Sequence, residues 1–164
     1  MPRWSHDGRS VYFIAQRNAA RSLWKKPIDG GAPVHVADGV VTDAIESHDG
    51  SRLYYSKATP GLWEASASGA DERLIPELAD VVHSRYFYIG EKGVYFVGQV
   101  KPPWQVRVFD FATRRVTTVA TIDKTLVFMT PSLSISPDGN SLLFAQLDQV
   151  GSEISMSSDF GRAK

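Results

Sequence analysis

Cysteine is absent from the 164 residues. That excludes a disulfide scaffold, a Cys-ligated zinc site and a cysteine nucleophile. Net charge is absent as well, because 18 Lys plus Arg balance 18 Asp plus Glu. Such a balance excludes the strongly basic surface expected of a nucleic-acid binder. No apolar run approaches the roughly 20 residues that a helix needs to cross a bilayer. The opening Met1-Pro2-Arg3-Trp4-Ser5-His6-Asp7 has no apolar core of a signal peptide. Helix signals are also scarce: only Asp71 to Asp80 has helix-friendly composition, and Pro76 interrupts it. Apolar residues are plentiful, at 43% with 11% aromatic, which excludes a disordered tail. The length suits one domain or a piece of a larger one.

The organising feature is a repeat. Ser5-His6-Asp7-Gly8 returns as Ser47-His48-Asp49-Gly50 and as Ser136-Pro137-Asp138-Gly139. The glycines lie 50 − 8 = 42 and 139 − 50 = 89 positions apart, so the second gap is about two periods. A degenerate copy, Gly90-Glu91-Lys92-Gly93, occupies the missing place with a two-residue deletion in its turn.

Apolar runs follow each glycine: Val11-Tyr12-Phe13-Ile14, Leu53-Tyr54-Tyr55, Val94-Tyr95-Phe96-Val97 and Leu142-Leu143-Phe144. They are short, rich in β-branched and aromatic residues and bounded by turn signals, so they read as strands. Their apolar positions are consecutive, which is expected when both faces of a strand are covered. A third strand is centred on Leu23-Trp24, Leu62-Trp63, Val106 to Phe109, and Ile154 to Met156. A closing strand follows in three copies, at Val34-His35-Val36, Arg73-Leu74-Ile75 and Val116 to Val119. Four antiparallel strands at a period near 42 make a β-propeller blade, which must stack on its neighbours to bury its two faces. The expected units span about 2–40, 41–79, 80–122 and 130–160.

Ser136-Pro137-Asp138-Gly139-Asn140-Ser141-Leu142-Leu143-Phe144 resembles the TolB-type, WD-like propeller repeat. His6 and His48 stand where that family usually has Pro, and the third copy has lost Asp. The resemblance covers residues 2 to 160. It implies an all-β propeller segment of about four four-stranded blades, the last one incomplete. Such propellers usually have more than four blades. The expectation is therefore the C-terminal part of a larger ring or a truncated reading frame, with self-association through its open edges. Similar C-terminal propellers form sensor halves of bacterial winged-helix regulators and receptor-type Ser/Thr kinases. That implies a non-enzymatic bacterial protein- or ligand-binding module without a cofactor, its compartment left open. The alternatives are the gating propeller of a prolyl-oligopeptidase-like peptidase and a periplasmic partner-binding protein of the TolB type.

Candidate chemistry is sparse. Asp7, Gly8, Asp49, Gly50, Asp138 and Gly139 read as structural turn residues, with Asp accepting from local backbone N–H groups and Gly in the left-handed conformation. Calcium loops need several oxygen ligands at alternating spacing, whereas each Asp here stands alone before Gly. His6 and His48 occupy equivalent turns, and the expectation is that they point the same way without facing each other. His35 and His83 have no second ligand at close spacing. There is no Gly-x-Ser-x-Gly elbow and no phosphate loop. Trp24 and Trp63 recur at the blade period, which favours packing between blades. Trp104 follows Lys101-Pro102-Pro103 and breaks the repeat; it is expected in an exposed loop, as a partner contact.

Overall fold

The computed structural model describes residues 2–17, 20–81, 86–98, 101–126, 133–136 and 141–147. The first sheet holds β1 (Arg3–Trp4), β2 (Ser10–Arg17), β3 (Ala20–Pro27) and β4 (Val34–Asp38) in that order. The second holds β5 (Val41–Glu46), β6 (Arg52–Lys57), β7 (Leu62–Ser66) and β8 (Arg73–Leu74). The third holds β9 (Phe87–Ile89), β10 (Gly93–Val97), β11 (Trp104–Asp110) and β12 (Val116–Ile122). A fourth is described as a pair, β13 (Leu133–Ile135) with β14 (Leu142–Phe144). All neighbouring strands are antiparallel. Residues 148–164 lie outside the described part, and with them the expected third strand of the last unit at Ile154 to Met156.

Among the described residues the helix-friendly stretch yields only a single 3-10 turn, Pro76–Leu78. Proline suits the first position of such a turn because its missing N–H would be unpaired there anyway. Leu78 is fully buried beneath the third sheet's Phe87 and Phe96.

Side-chain alternation along the second strand of each sheet explains the consecutive apolar residues. Successive residues of a strand point to opposite faces. Tyr12 and Leu23 of the first sheet pack against Leu53 and Tyr55 of the second. Tyr54, one residue from Tyr55, faces the other way and packs with Val94 and Phe96 of the third. Tyr95 in turn packs towards Leu142 and Phe144 of β14. Each junction therefore repeats one contact: the residue four after the turn glycine in one sheet meets the residues three and five after it in the next, the offsets from Gly93 being two fewer because its turn is shorter by two. Tyr55 and Leu53 are 0% exposed and Phe96 is 1%. Full burial of such a side chain contributes about 1.5–3 kcal/mol.

The third turn is tighter than the others. Ser5 N–H donates to the Ser10 carbonyl at 2.9 Å and Ser47 N–H to the Arg52 carbonyl at 2.8 Å, each across five positions. Gly90 N–H reaches the Gly93 carbonyl at 2.9 Å across three. Gly93 pairs so closely with β11 that an added Cβ would stand 2.2 Å from the Phe109 carbonyl oxygen.

Candidate interaction surfaces

The first two turns are built alike. Ser5 Oγ donates to Asp7 Oδ1 at 2.6 Å, and the same oxygen accepts Arg9 N–H at 3.0 Å. Ser10 N–H donates to Ser5 Oγ at 2.9 Å. In the second copy Ser47 Oγ donates to Asp49 Oδ1 at 2.6 Å, Ser51 N–H donates to Asp49 Oδ1 at 3.0 Å, and Arg52 N–H donates to Ser47 Oγ at 2.9 Å. Gly8 and Gly50 sit at φ +68° and +70°, the left-handed region that glycine enters without a Cβ penalty. The serine is the part of the turn that sequence reasoning missed, although Ser5, Ser47 and Ser136 recur in register. Ser141 N–H donates to Ser136 Oγ at 2.8 Å in the fourth copy as well. Asp138 and Gly139 themselves lie outside the described residues.

These bonds hold both aspartates ionised. The Ser47 hydroxyl first, then the Ser51 N–H and hydroxyl, lower the Asp49 carboxyl to about 2. The Ser5 hydroxyl and the Arg9 N–H lower Asp7 in the same direction.

The two turns meet, contrary to the expectation that their histidines point alongside without facing. The His6 and His48 rings lie with centroids 4.9 Å apart, tilted by 59°. The reason is the close seating of the turns. An added Cβ at Gly50 would lie only 3.9 Å from the His6 Cβ. Glu46 of the second sheet also reaches across to accept the His6 N–H. The same carboxylate accepts the Tyr12 hydroxyl at 2.6 Å and lies 3.5 Å from Lys25 Nζ. Its side chain is 5% exposed. Burial, then the bond to Glu46, pushes the Tyr12 phenol well above its ordinary range.

Trp104 corrects another expectation. It opens β11 opposite Ile122 and is 3% exposed. It packs in the junction between the third and fourth sheets with Val97, Leu126 and Leu133. The strand begins two residues before the expected centre at Val106, so the indole belongs to the core and not to an exposed loop. In the third sheet the place of Trp24 and Trp63 is taken by Arg107, whose guanidinium lies 5.6 Å above the Phe96 ring. Lys57 Nζ caps Trp63 in a comparable way at 4.2 Å.

His35 lies 3.0 Å from Asp38, and His83 falls outside the described residues. Among the described residues no three His, Cys, Asp or Glu side chains converge as a metal centre. No described helix is long and apolar enough to cross a membrane.

The outer face of the first sheet carries several apolar side chains, with Lys26 opposite Val11. Phe13 pairs with Trp24, and Trp4 pairs with Val11. By register Val11, Phe13 and Trp24 correspond to Leu53, Tyr55 and Trp63, the residues that the first sheet covers in the second. Trp4 is 65% exposed, and at the opposite end Leu143, the counterpart of Tyr12 and Tyr54, is 73% exposed.

No protein-family model matches the sequence, and no curated protein matches it either. Solved structures do. TolB from Acinetobacter baumannii superposes at a TM-score of 0.63 with 14% identity, over 86% of this chain and 36% of that one. The chain has a TolB-like β-propeller fold. The putative TolB from Agrobacterium tumefaciens agrees, at a TM-score of 0.61 and 19% identity over 88% of this chain and 57% of that one. The tricorn protease shares the fold at a TM-score of 0.60 and 12% identity, over 82% of this chain and 14% of its own. The TolB-like segment thus spans about a third to somewhat over half the length of the two TolB chains. At these identities the likeness speaks for the fold, and function must be argued from surfaces.

Proposed function

We propose that this chain is a non-enzymatic protein- or ligand-binding propeller module, the C-terminal sensor or interaction part of a larger bacterial signalling or regulatory protein. The observation that carries it is the outer face of the first sheet. Val11, Phe13 and Trp24 repeat the pattern that Leu53, Tyr55 and Trp63 present to the first sheet. The occupant that fits is therefore a further blade of the same repeat, offering a Tyr and a Leu at the positions of Tyr12 and Leu23. Within such a ring, rigid turns and loops present the binding surface. The units expected at about 2–40, 41–79, 80–122 and 130–160 are the blades of that reading.

The test is the reading frame ahead of the Met1 codon, together with the solution mass. In-frame repeats of the Ser-x-Asp-Gly type near 42-residue spacing, with a winged helix or kinase before them, support the proposal. An immediate stop codon, with light scattering showing a monomer of 18.1 kDa, overturns it. The gating propeller of a peptidase is the second reading, favoured only by the shared fold of the tricorn protease. Hydrolysis of a chromogenic dipeptide by the intact protein would decide for it.

A further inference from the structure

The contact between His6 and His48 brings two imidazoles from different sheets to one point on the surface. Both side chains are exposed. Their ring centroids are 4.9 Å apart. Two imidazoles that share one cation obey a simple geometry. A metal–nitrogen bond of roughly 2 Å plus about 1 Å from nitrogen to ring centre places each centroid about 3 Å from the metal. At the angles of square-planar or tetrahedral coordination the two centroids are then about 4.2–4.9 Å apart. The observed separation falls in that interval.

Three further features favour a cation there. The backbone beneath each histidine is fixed, because Ser5–Asp7 and Ser47–Asp49 close the two turns through the same hydrogen bonds. Ligands carried on such a frame lose little freedom when they bind. Each histidine is followed directly by an aspartate, Asp7 and Asp49, which places an acidic side chain at the rim on either side. The buried Glu46 carboxylate also accepts the His6 N–H, which anchors the first histidine to the second sheet.

We infer that His6 and His48 form a two-imidazole site for a divalent first-row transition ion of the zinc, nickel and copper class. Its remaining positions are filled by water, and it clamps the first sheet to the second. With only two protein ligands the site is exchangeable. Imidazole suits these ions and discriminates against magnesium and calcium, which prefer oxygen. Because the ion binds across the junction of the folded sheets, its binding free energy adds to their docking.

The experiment uses the untagged chain, since a histidine tag would compete. Calorimetric titration with nickel chloride is expected to show one site per chain. His6→Ala and His48→Ala should each weaken it at least tenfold, and His35→Ala should leave it unchanged. Circular dichroism checks that each variant is folded, and His6→Gln and His48→Gln serve as second variants that keep a hydrogen-bonding side chain. Saturating nickel should also raise the melting temperature of the parent, and of neither His6 nor His48 variant. Undiminished binding in both single variants would overturn the site. So would equal loss in His35→Ala, or a response to magnesium as strong as that to nickel.

Discussion

Tyr12 donates its hydroxyl proton to Glu46 across the boundary between the first two sheets, at 2.6 Å. The phenol is almost wholly covered and the carboxylate is 5% exposed, so this bond is shielded from water. Tyr12 contributes to the junction twice, through its ring against Leu53 and Tyr55 and through its oxygen on Glu46.

Removing only the oxygen separates those two roles. Tyr12→Phe keeps the ring and leaves Glu46 short of one donor, with Lys25 and the His6 N–H remaining. The expected loss is about 1–3 kcal/mol, measured by urea denaturation. A double-mutant cycle with Glu46→Gln should return a coupling of similar size. An unchanged midpoint in Tyr12→Phe would mean that the bond adds nothing beyond the ring.

Trp104→Ala is expected to lower stability by about 3–5 kcal/mol, because it empties a space enclosed by Val97, Leu126 and Leu133. Intrinsic fluorescence of the parent should be blue-shifted and poorly quenched by iodide for this residue. If a partner were bound through Trp104, the substitution would cost affinity while leaving the melt alone.

Asp49 gives the fold an acid limit. Its carboxyl is held near 2 in the folded chain, against an ordinary value of 3.8. A depressed folded value stabilises the fold fully above pH about 4, and that contribution is lost as pH falls towards 2. Asp49→Asn keeps an oxygen acceptor for Ser47 and Ser51 but cannot titrate. Stability followed from pH 5 to pH 2 should therefore fall less steeply in the variant than in the parent. Equal slopes would exclude Asp49 as a contributor.

Gly69 sits at φ +90°, and a Cβ there would lie 2.5 Å from the Val36 carbonyl oxygen of β4. Gly69→Ala should cost about 2 kcal/mol or more, through backbone strain and the forced separation of the first two sheets. Thermal melts of the variant measure it. Gly30→Ala, at φ +98° with open space around it, separates the two causes because it carries the strain without the clash.

The blade pattern was legible because the turn chemistry is local. Ser5, Asp7 and Gly8 satisfy one another within six residues, so the same letters mark the same turn at residue 47. Facing direction was legible too, from the alternation of Tyr54 and Tyr55. Long-range distances were not. The repeat shows that His6 and His48 are equivalent, but equivalence fixes orientation and not separation. That they touch depends on how closely two sheets seat, which is set by Tyr12, Glu46 and Gly69 far along the chain. Trp104 was misplaced for a different reason. The prolines before it suggested a loop, and its burial comes from Leu126 and Leu133, which belong to segments that sequence periodicity does not link to it.

The shortened third turn constrains how this chain can vary. Gly90 and Gly93 close across three positions where the other turns need five, a difference of two residues. Because side chains alternate, losing two residues returns Tyr95 and Phe96 to the same sides as Tyr12 and Phe13. Losing one would turn a whole strand inside out and point its aromatic residues at the wrong neighbour. Length changes in these hairpins should therefore accumulate in even steps. An odd insertion should survive only where a bulge absorbs it, as β4 does at Val36 opposite Leu23 and Trp24, and β12 at Val119 opposite Val106 and Arg107.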